Sequence, residues 1–299
     1  MEGLQSRKHF KVSGKRIPVY SVTPKQHTEP IRGVVMINLK RGKTLDHQGL
    51  KLEVLGIIGS IQQQALITSL DTTFLHVTRT LEPPGTLEDG KTLPFQFLDV
   101  DKSYESYYGG NIRVKYLVRL TIDKNLTSNI VKEIEIFVVR FNKEPAINCF
   151  IKLECGYEDA VQTELELAQS KLCSKDVLLG RLYFHIIRVR LVGIVLNVVR
   201  KEFVGFGKDA TCYQDTVGSF EILDGPVAKG DAIPIRVFLK SCNVTPTYMN
   251  ISNRAAVKYF VSLCLRDEED RTFSKEQEIA IWRPESKIER EGIVAYKNK

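Results

Sequence analysis

Residues 112–122, which read IRVKYLVRLTI, decide the fold of this chain. Apolar side chains occupy every second position from Ile112 to Ile122, and polar side chains occupy most positions between them. Successive side chains of a β-strand point to opposite faces, so this alternation turns one face to a core and the other to water. The pattern predicts a strand of an antiparallel sandwich.

The same period of two recurs elsewhere along the chain. It appears in residues 50–54, 134–138, 233–239 and 257–265. Turn-forming residues separate these segments, as in Pro83-Pro84-Gly85 and Asp224-Gly225-Pro226, and no comparable stretch has helical spacing. Frequent short strands without intervening helices indicate sheets packed on sheets, so we predict an all-β fold.

The length favours two domains, because domains most often hold roughly 100–150 residues and the chain has 299. A polar segment that ends in Pro145 interrupts the succession of strands. We therefore predict β-sandwiches over residues 1–145 and 146–283. Residues 284–299 are charged and lack sustained alternation, which predicts a flexible tail.

Composition argues against several classes of protein. The sequence has no run of about 18 apolar residues, the length that a membrane-spanning helix needs. The six cysteines show no CxxC pair, which predicts free, buried thiols in a reducing compartment and neither a zinc site nor a disulfide framework. The net charge of +7 is spread along the chain, so it favours acidic partners only weakly.

The sequence contains no recognisable catalytic, metal or phosphate motif, and its histidines are scattered. The acidic run from Asp267 to Asp270 is predicted to be a solvated hairpin tip. Basic residues that could contact nucleic acid are expected on the wet faces of strands: Arg188, Arg190, Arg200 and Lys201. We predict a non-catalytic protein-binding chain with no cofactor, no metal and no nucleic acid. An all-β enzyme with a pocket of titratable groups stays as an alternative.

Several unlike motifs follow one another between Lys43 and Arg283. They are LDHQGLKLE at 45–53, KSYESYYGGN at 102–111, GYED at 156–159, KDVLLG at 175–180, EILDG at 221–225, IPIR at 233–236, TPT at 245–247 and DEEDR at 267–271. In these motifs and their order the chain resembles the arrestin-like small subunit of retromer, a vacuolar protein sorting family.

The resemblance implies an arrestin fold, with two tandem antiparallel β-sandwich domains joined by a short linker. It implies a cytoplasmic subunit of a coat that lies peripherally on the endosome membrane and retrieves transmembrane cargo to the Golgi or cell surface. The implied partners are a large helical-solenoid subunit, sorting nexins and the cytosolic tails of cargo. A stand-alone arrestin-type adaptor, or a subunit of a sister recycling complex, is the alternative.

Two sets of site residues follow from the resemblance. The apolar pair Ile222 and Leu223, in a loop with Asp224 and Gly225, is expected to insert into the solenoid subunit. Without the resemblance, both side chains would be interpreted as a strand end packed in the core.

A sorting-nexin and cargo surface at the junction of the two domains is expected to use strand-edge pairing. It maps to Cys155, Gly156, Phe273 and Ser274. The family usually has two adjacent aromatic residues where this chain has Phe273 followed by Ser274, which predicts altered contacts there. The chain also diverges from the family until about Arg32, so a first strand is expected to be missing or replaced.

Overall fold

The computed structural model describes residues 9–12, 15–22, 29–60, 72–125, 127–157, 159–205, 207 and 210–284. The chain divides into two compact units, and the division falls between Phe141 and Asn142. The first unit holds the described residues up to Phe141, and the second runs from Asn142 to Pro284. The predicted tail, apart from Pro284, lies outside the described residues.

The first unit consists of strands and loops. Its strands are β1 (His9–Val12), β2 (Lys15–Val22), β3 (Ile31–Ile37), β4 (Leu45–His47), β5 (Gly49–Ser60), β6 (Thr72–Glu82), β7 (Gly85–Leu87), β8 (Lys91–Phe97), β9 (Tyr107–Tyr108), β10 (Ile112–Asp123) and β11 (Ile130–Arg140). One sheet has the order β1-β2-β11-β10-β5-β6, with β9 paired to β10, and two smaller sheets pair β3 with β8 and β4 with β7.

The core of the first unit forms around β10. Its alternate side chains from Ile112 to Ile122 are all buried, as the period of two predicts. Four of them pack with Leu52 and Val54 of β5 and with Phe95 and Phe97 of β8 in one hydrophobic cluster: Tyr116, Val118, Leu120 and Ile122. Sheet is therefore packed on sheet, which is the sandwich arrangement.

The divergent start of the chain contributes strands. β1 and β2 form an antiparallel pair, and β2 also pairs in parallel with β11, where Val19 lies opposite Phe137. The described start of the chain therefore holds a strand, β2, beside β11. That β2 replaces a first strand of the family stays a prediction. The alternation that would have signalled β2 is weak, since only Ile17 and Val19 are aliphatic between Lys15 and Ser21.

The second unit is also built from strands. They are β12 (Ile151–Tyr157), β13 (Val161–Leu167), β14 (Lys171–Cys173), β15 (Val177–Ile187), β16 (Leu191–Val204), β17 (Thr211–Asp224), β18 (Ala232–Phe238), β19 (Tyr248–Ile251), β20 (Ala255–Asp267) and β21 (Thr272–Trp282), with a 3₁₀ turn at Leu239–Ser241. One sheet has the order β12-β13-β15-β18, and the other has the order β14-β21-β20-β16-β17 with β19 paired to β20.

A continuous row of β20 side chains anchors the core of the second unit. Val257, Tyr259, Val261, Leu263 and Leu265 are all fully buried. The hydroxyl of Tyr259 accepts a hydrogen bond from the backbone N–H of Thr245 at 2.8 Å, so the one polar atom in this row is satisfied. The predicted all-β class and its antiparallel sheets are confirmed, in an arrestin-like arrangement.

Two predictions about polar and thiol groups need correction. Arg200 was expected on a wet face, but it is buried, and its Nη2 lies 2.9 Å from the Asp215 carboxylate. That partner on β17 allows an arginine to face inward. All six cysteines are free as predicted, but Cys149 and Cys212 are exposed rather than buried.

Because the inward side chains of β20 are buried, their truncation should lower the stability of the second unit. Replacing Leu263 with Ala should lower the free energy of unfolding of the second unit by about 2–5 kcal/mol, because it leaves a cavity in a packed core. Urea unfolding measures this change. The matched substitution Leu179→Ala, at a side chain 46% exposed on β15, should cost far less; equal losses would contradict the core assignment.

Candidate partner-binding surfaces

The predicted solenoid-contacting residues lie at the end of an edge strand. β17 pairs only with β16 among the described residues, so its other edge has free backbone N–H and C=O groups. Ile222 and Leu223 are its last apolar residues, and both are half-buried. They keep part of their apolar surface available to a partner while the strand holds their backbone.

A β-bulge sets the direction of this pair. Glu221 lies opposite Val195 and Leu223 lies opposite Ile194, so Ile222 is an extra residue without a counterpart on β16. An extra residue bends the strand and interrupts its alternation. Two consecutive apolar side chains can therefore both be half-exposed, whereas a regular strand would bury one and expose the other.

The turn that follows is fixed to β15. Gly225 has a φ of +139°, a conformation that side chains disfavour, and a Cβ there would meet no atom within 4 Å. Glycine is therefore required by the backbone angle and not by lack of space. Further along the turn, Gly230 donates its N–H to the carbonyl of Phe184 at 2.8 Å, and Phe184 donates to Asp231 at 3.1 Å.

The structure differs from the expectation of a loop at Ile222 and Leu223. Both residues, and the backbone of Asp224, belong to β17, and the loop begins at Gly225. The four predicted residues are contiguous at the strand-to-turn junction. The interpretation as a strand end is right about the element, yet neither apolar side chain is fully buried.

The second predicted surface lies where β12 and β21 run side by side within the second unit. β12 pairs only with β13 among the described residues, and β21 pairs with β20 and, over its last residues, with β14. Both strands therefore have free backbone groups along part of one edge. Such edges can accept an extended peptide as an added strand.

A buried carboxylate pins the hairpin between β20 and β21. Asp267 is fully buried and accepts hydrogen bonds from the backbone N–H groups of Glu269 and Arg271, both at 3.0 Å. It also accepts from Nε of Arg271 at 2.7 Å and from the hydroxyl of Tyr157 at 3.2 Å. This network ties the hairpin to β12.

The charge of Asp267 is stabilised by these donors. Burial alone would raise the pKa of the Asp267 carboxyl, but the hydrogen bonds from Arg271, Glu269 and Tyr157 together hold it below its usual value. Asp267 is therefore ionised near neutral pH. The prediction that the whole acidic run is a solvated tip is wrong for Asp267, while Glu268, Glu269 and Asp270 are exposed as predicted.

An aromatic stack lies next to this network. The rings of Tyr157 and Phe273 are parallel within 17°, with centroids 3.7 Å apart. The guanidinium of Arg271 lies 5.5 Å from the centre of the Tyr157 ring, a cation–π distance. Phe273 is half-buried, so this stack leaves apolar surface beside the edge of β12.

Cys155 and Gly156 have different environments. The Cys155 thiol is buried and lies 4.0 Å from the carbonyl of Leu263, and burial raises its pKa to about 11, so it is a neutral packing group. Gly156 is exposed, but a Cβ there would lie 2.0 Å from the carbonyl oxygen of Val161. The close approach of β13 therefore excludes every residue with a side chain at position 156.

The structure brings some predicted residues together and separates others. Cys155 shares a face of β12 with Tyr157, which stacks on Phe273. Ser274 is exposed, lies opposite Cys264 and points to the other face of β21 from Phe273. Phe273 and Ser274 therefore cannot line one pocket while this strand stays regular.

Sequence reasoning missed the residues that build this surface: Tyr157, Asp267 and Arg271. A signal was present, because Asp267 continues the inward alternation that runs through Leu263 and Leu265. Tyr157 likewise continues the inward series of Leu153 and Cys155. The period of two placed both polar side chains toward the core, where they need partners.

Two general features of the described residues bear on function. No group of three or more His, Cys, Asp or Glu side chains is placed to hold a metal ion in the described part of the chain. The same residues include no helix long and apolar enough to cross a bilayer.

Comparison with known sequences identifies the family. Residues 1–270 match the sequence family of Vacuolar protein sorting-associated protein 26, Vps26.

The chain belongs to the Vps26 family.

Vps26 relatives cover most of the chain. Vacuolar protein sorting-associated protein 26 of Plasmodium falciparum (isolate 3D7) is 40% identical over 270 residues, which are 90% of this chain and 88% of that protein. The protein of the same name from Dictyostelium discoideum is 37% identical over 284 residues, 95% of this chain and 80% of that one. Vacuolar protein sorting-associated protein 26B-A of Xenopus laevis is 36% identical over 256 residues, which are 85% of this chain and 74% of that protein.

Membership in the Vps26 family makes the chain a vacuolar protein sorting subunit and confirms the resemblance found in the sequence motifs. The roles of individual residues at the two surfaces stay predictions.

The Asp267 network predicts a pH-dependent stability. The carboxyl of Asp267 has a lower pKa folded than unfolded, so its contribution is present at neutral pH and is lost as the pH falls below about 4. We expect Asp267→Asn to lower the melting temperature at pH 7, because the amide N–H₂ would face Arg271. The difference from the native chain should narrow below about pH 4.

The control for this experiment is Glu268→Gln, which removes a charge at the exposed tip of the same hairpin. Its melting temperature should stay close to that of the native chain at both pH values. Equal melting temperatures for Asp267→Asn and the native chain at pH 7 would contradict a stabilising role for the network.

Proposed function

We propose that this Vps26-family chain is a non-catalytic retromer coat subunit that binds the large helical-solenoid subunit through Ile222 and Leu223. The observation that carries the proposal is the bulged end of β17, where two adjacent apolar side chains are half-exposed. Small apolar clusters on a fixed backbone are typical binding hot spots, because little conformational freedom is lost on binding.

The turn after β17 supports this role. Its backbone hydrogen bonds to β15 hold the residues beyond Gly225, and the edge strand holds those before it. The apolar pair is thus supported on both sides. Preorganised residues of this kind bind with less entropic cost than residues of a mobile loop.

A second surface, around β12 and the β20–β21 hairpin, is proposed to bind sorting nexins and the cytosolic tails of transmembrane cargo. Free backbone groups on the β12 edge suit strand addition, and the exposed part of the Phe273 and Tyr157 stack suits an apolar side chain of the ligand. Because Ser274 points away from Phe273, the ligand pocket is proposed to use a single aromatic residue of this strand.

In the cell, we propose that the chain acts in the cytoplasm, peripherally on the endosome membrane. There it would help to retrieve cargo from endosomes to the Golgi or the cell surface. A stand-alone arrestin-type adaptor, or a subunit of a sister recycling complex, is the competing proposal. It differs in one respect that can be measured, since Ile222 and Leu223 would then be dispensable for binding a solenoid.

The double substitution Ile222→Asp, Leu223→Asp tests the solenoid contact. Burying the exposed part of both side chains contributes about 1–2 kcal/mol, because the strand already buries most of them. Its loss weakens binding roughly five- to thirtyfold, and burying two carboxylates adds a further cost. We expect calorimetric titration with the solenoid subunit to show tight binding by the native chain and none by the variant.

The matched control is Ile147→Asp, Met249→Asp, which adds the same two charges at exposed apolar residues of the same unit. This control should bind and melt like the native chain. Ile222→Asp, Leu223→Asp is expected to melt at a lower temperature, because both side chains are partly buried, so binding is measured well below its melting temperature. Retained solenoid binding by Ile222→Asp, Leu223→Asp would overturn the contact. Absence of binding by the native chain would favour the stand-alone adaptor.

The second surface has its own test. Phe273→Ala should weaken binding of a sorting nexin or a cargo-tail peptide about tenfold, because it removes half of the aromatic stack. It should leave solenoid binding unchanged. Fluorescence anisotropy with a labelled cargo-tail peptide measures the effect, and Ser274→Ala is the control, because that side chain points to the opposite face.

A further inference from the structure

The first unit buries a lysine that belongs to neither proposed binding surface. Lys102 is 1% exposed, and its side chain is among the largest that the chain buries completely. Lysine is almost never fully buried unless a carboxylate pairs with it. Among the described residues, however, no carboxylate forms an ion pair with this amine, and its only hydrogen-bond acceptor is the backbone carbonyl of Glu29, 2.6 Å from Nζ.

This hydrogen bond joins two distant parts of the chain. Glu29 lies 73 residues before Lys102 and two residues before Ile31, where β3 begins. The backbone at Lys102 is fixed in turn, because Nη1 of Arg140 on β11 donates to the carbonyl of Lys102 at 3.1 Å and to that of Ser103. The amine of Lys102 therefore holds the entry of β3 against a fixed point of the larger sheet.

Burial decides how readily the amine keeps its proton. Removing an ammonium group from water disfavours its charged form, and this lowers the pKa of Lys102 from 10.5 to about 8. The carboxylates of Glu29 and Asp101 act in the opposite direction, but more weakly than burial. The folded chain therefore binds this proton less tightly than a chain in which the amine is in water.

The other titratable groups of this region do not supply a counterion. The carboxylate of Glu105 accepts the backbone N–H of Arg140 at 3.0 Å, and the guanidinium of Arg140 is itself a cation. The phenols of Tyr20 on β2 and Tyr116 on β10 are buried, and burial raises the pKa of each, so both are neutral near pH 7. The charge of Lys102 thus stays uncompensated inside the unit.

We propose that Lys102 is a proton-sensitive latch, which releases the chain at Glu29 more readily while the amine is charged and holds it more firmly once the proton is lost. When this segment moves away, water reaches the amine. A charged amine gains far more from hydration than a neutral one, so proton binding favours the open state. The inference does not rest on the proposed function.

The direction of the pH effect follows from the lowered pKa of Lys102. Below about pH 8 the amine is charged in both the closed and the open state, so the cost of burying the charge is fully present. As the pH rises from about 8 to 10.5, the closed state loses its proton before the open state does, and the cost disappears. The closed state therefore becomes more stable through this window.

Cleavage by trypsin after Arg32 measures the opening of this segment. Arg32 lies in β3 and pairs with Gln96 of β8, so the full chain is cut there only after the strand has left its place. We expect the cleavage rate, divided by that of an unfolded peptide of the same sequence, to fall about tenfold between about pH 7 and about pH 9. Cleavage after Arg181, on β15 of the second unit, should not show this fall.

Two lysine variants of similar size separate the latch from other groups. Lys102→Met removes the titrating amine and keeps the length of the side chain, so the fall in cleavage after Arg32 should disappear. Lys132→Met, at an exposed lysine of β11, is the matched control and should keep the tenfold fall.

A second measurement uses the native chain alone, in case Lys102→Met folds poorly. Carbon-13 NMR of the full chain, labelled at the lysine Cε atoms, should show one signal that titrates near pH 8 instead of near the ordinary lysine value of about 10.4.

Three outcomes would overturn the proposal. The first is a cleavage rate after Arg32 that does not change with pH in the native chain. The second is an equal fall in Lys102→Met, which would assign the effect to another group. The third is the absence of any lysine signal that titrates below about pH 9.5.

Discussion

Every sheet of this chain must end in an edge strand, because β-strands satisfy their backbone groups only through neighbouring strands. The two sheets of the second unit have the edges β12, β18, β14 and β17. Where such an edge has free N–H and C=O groups, as β12 and β17 do, it can bind a partner and can also pair with an unwanted chain. On β14, the side chains of Asn148 and Asp176 already occupy such groups. The surfaces proposed for the solenoid subunit and for sorting nexins or cargo lie at such edges, and the details of each edge decide what can bind there.

Buried polar side chains hold the segments that connect the strands in place. Asp267 connects the β20–β21 hairpin to β12, and the hydroxyl of Tyr259 fixes the loop at Thr245 above the core. In the first unit, Ser106 and Glu105 accept the backbone N–H groups of Val138 and Arg140 on β11. In each case a side chain supplies a hydrogen bond where no strand does, so a short connecting segment gains a defined position.

The period of two was sufficient to predict the all-β class and the buried faces of β5, β10 and β20. The same period also puts Asp267 on an inward face, but the acidic run was interpreted as a solvated tip, because its partner Tyr157 on β12 is 110 residues away in sequence. The bulge at Ile222 could not be predicted, because an extra residue is defined only against the neighbouring strand. Arg200 was misplaced for the same reason, since its carboxylate partner Asp215 belongs to β17.

The resemblance to retromer subunits supplied the site residues, which composition and periodicity could not. It grouped Phe273 with Ser274 because they are adjacent in sequence, but adjacent residues of a strand point to opposite faces.

The bulges of β17 have a consequence for the solubility of the chain. β17 spans 14 residues at a sheet edge, and Val217 and Ile222 are each an extra residue against β16. A regular strand of this length would offer a straight ladder on which identical strands of other molecules could stack into fibres. The two insertions break that ladder into short pieces, so a deletion of either residue would lengthen the exposed ladder and favour aggregation of the folded protein.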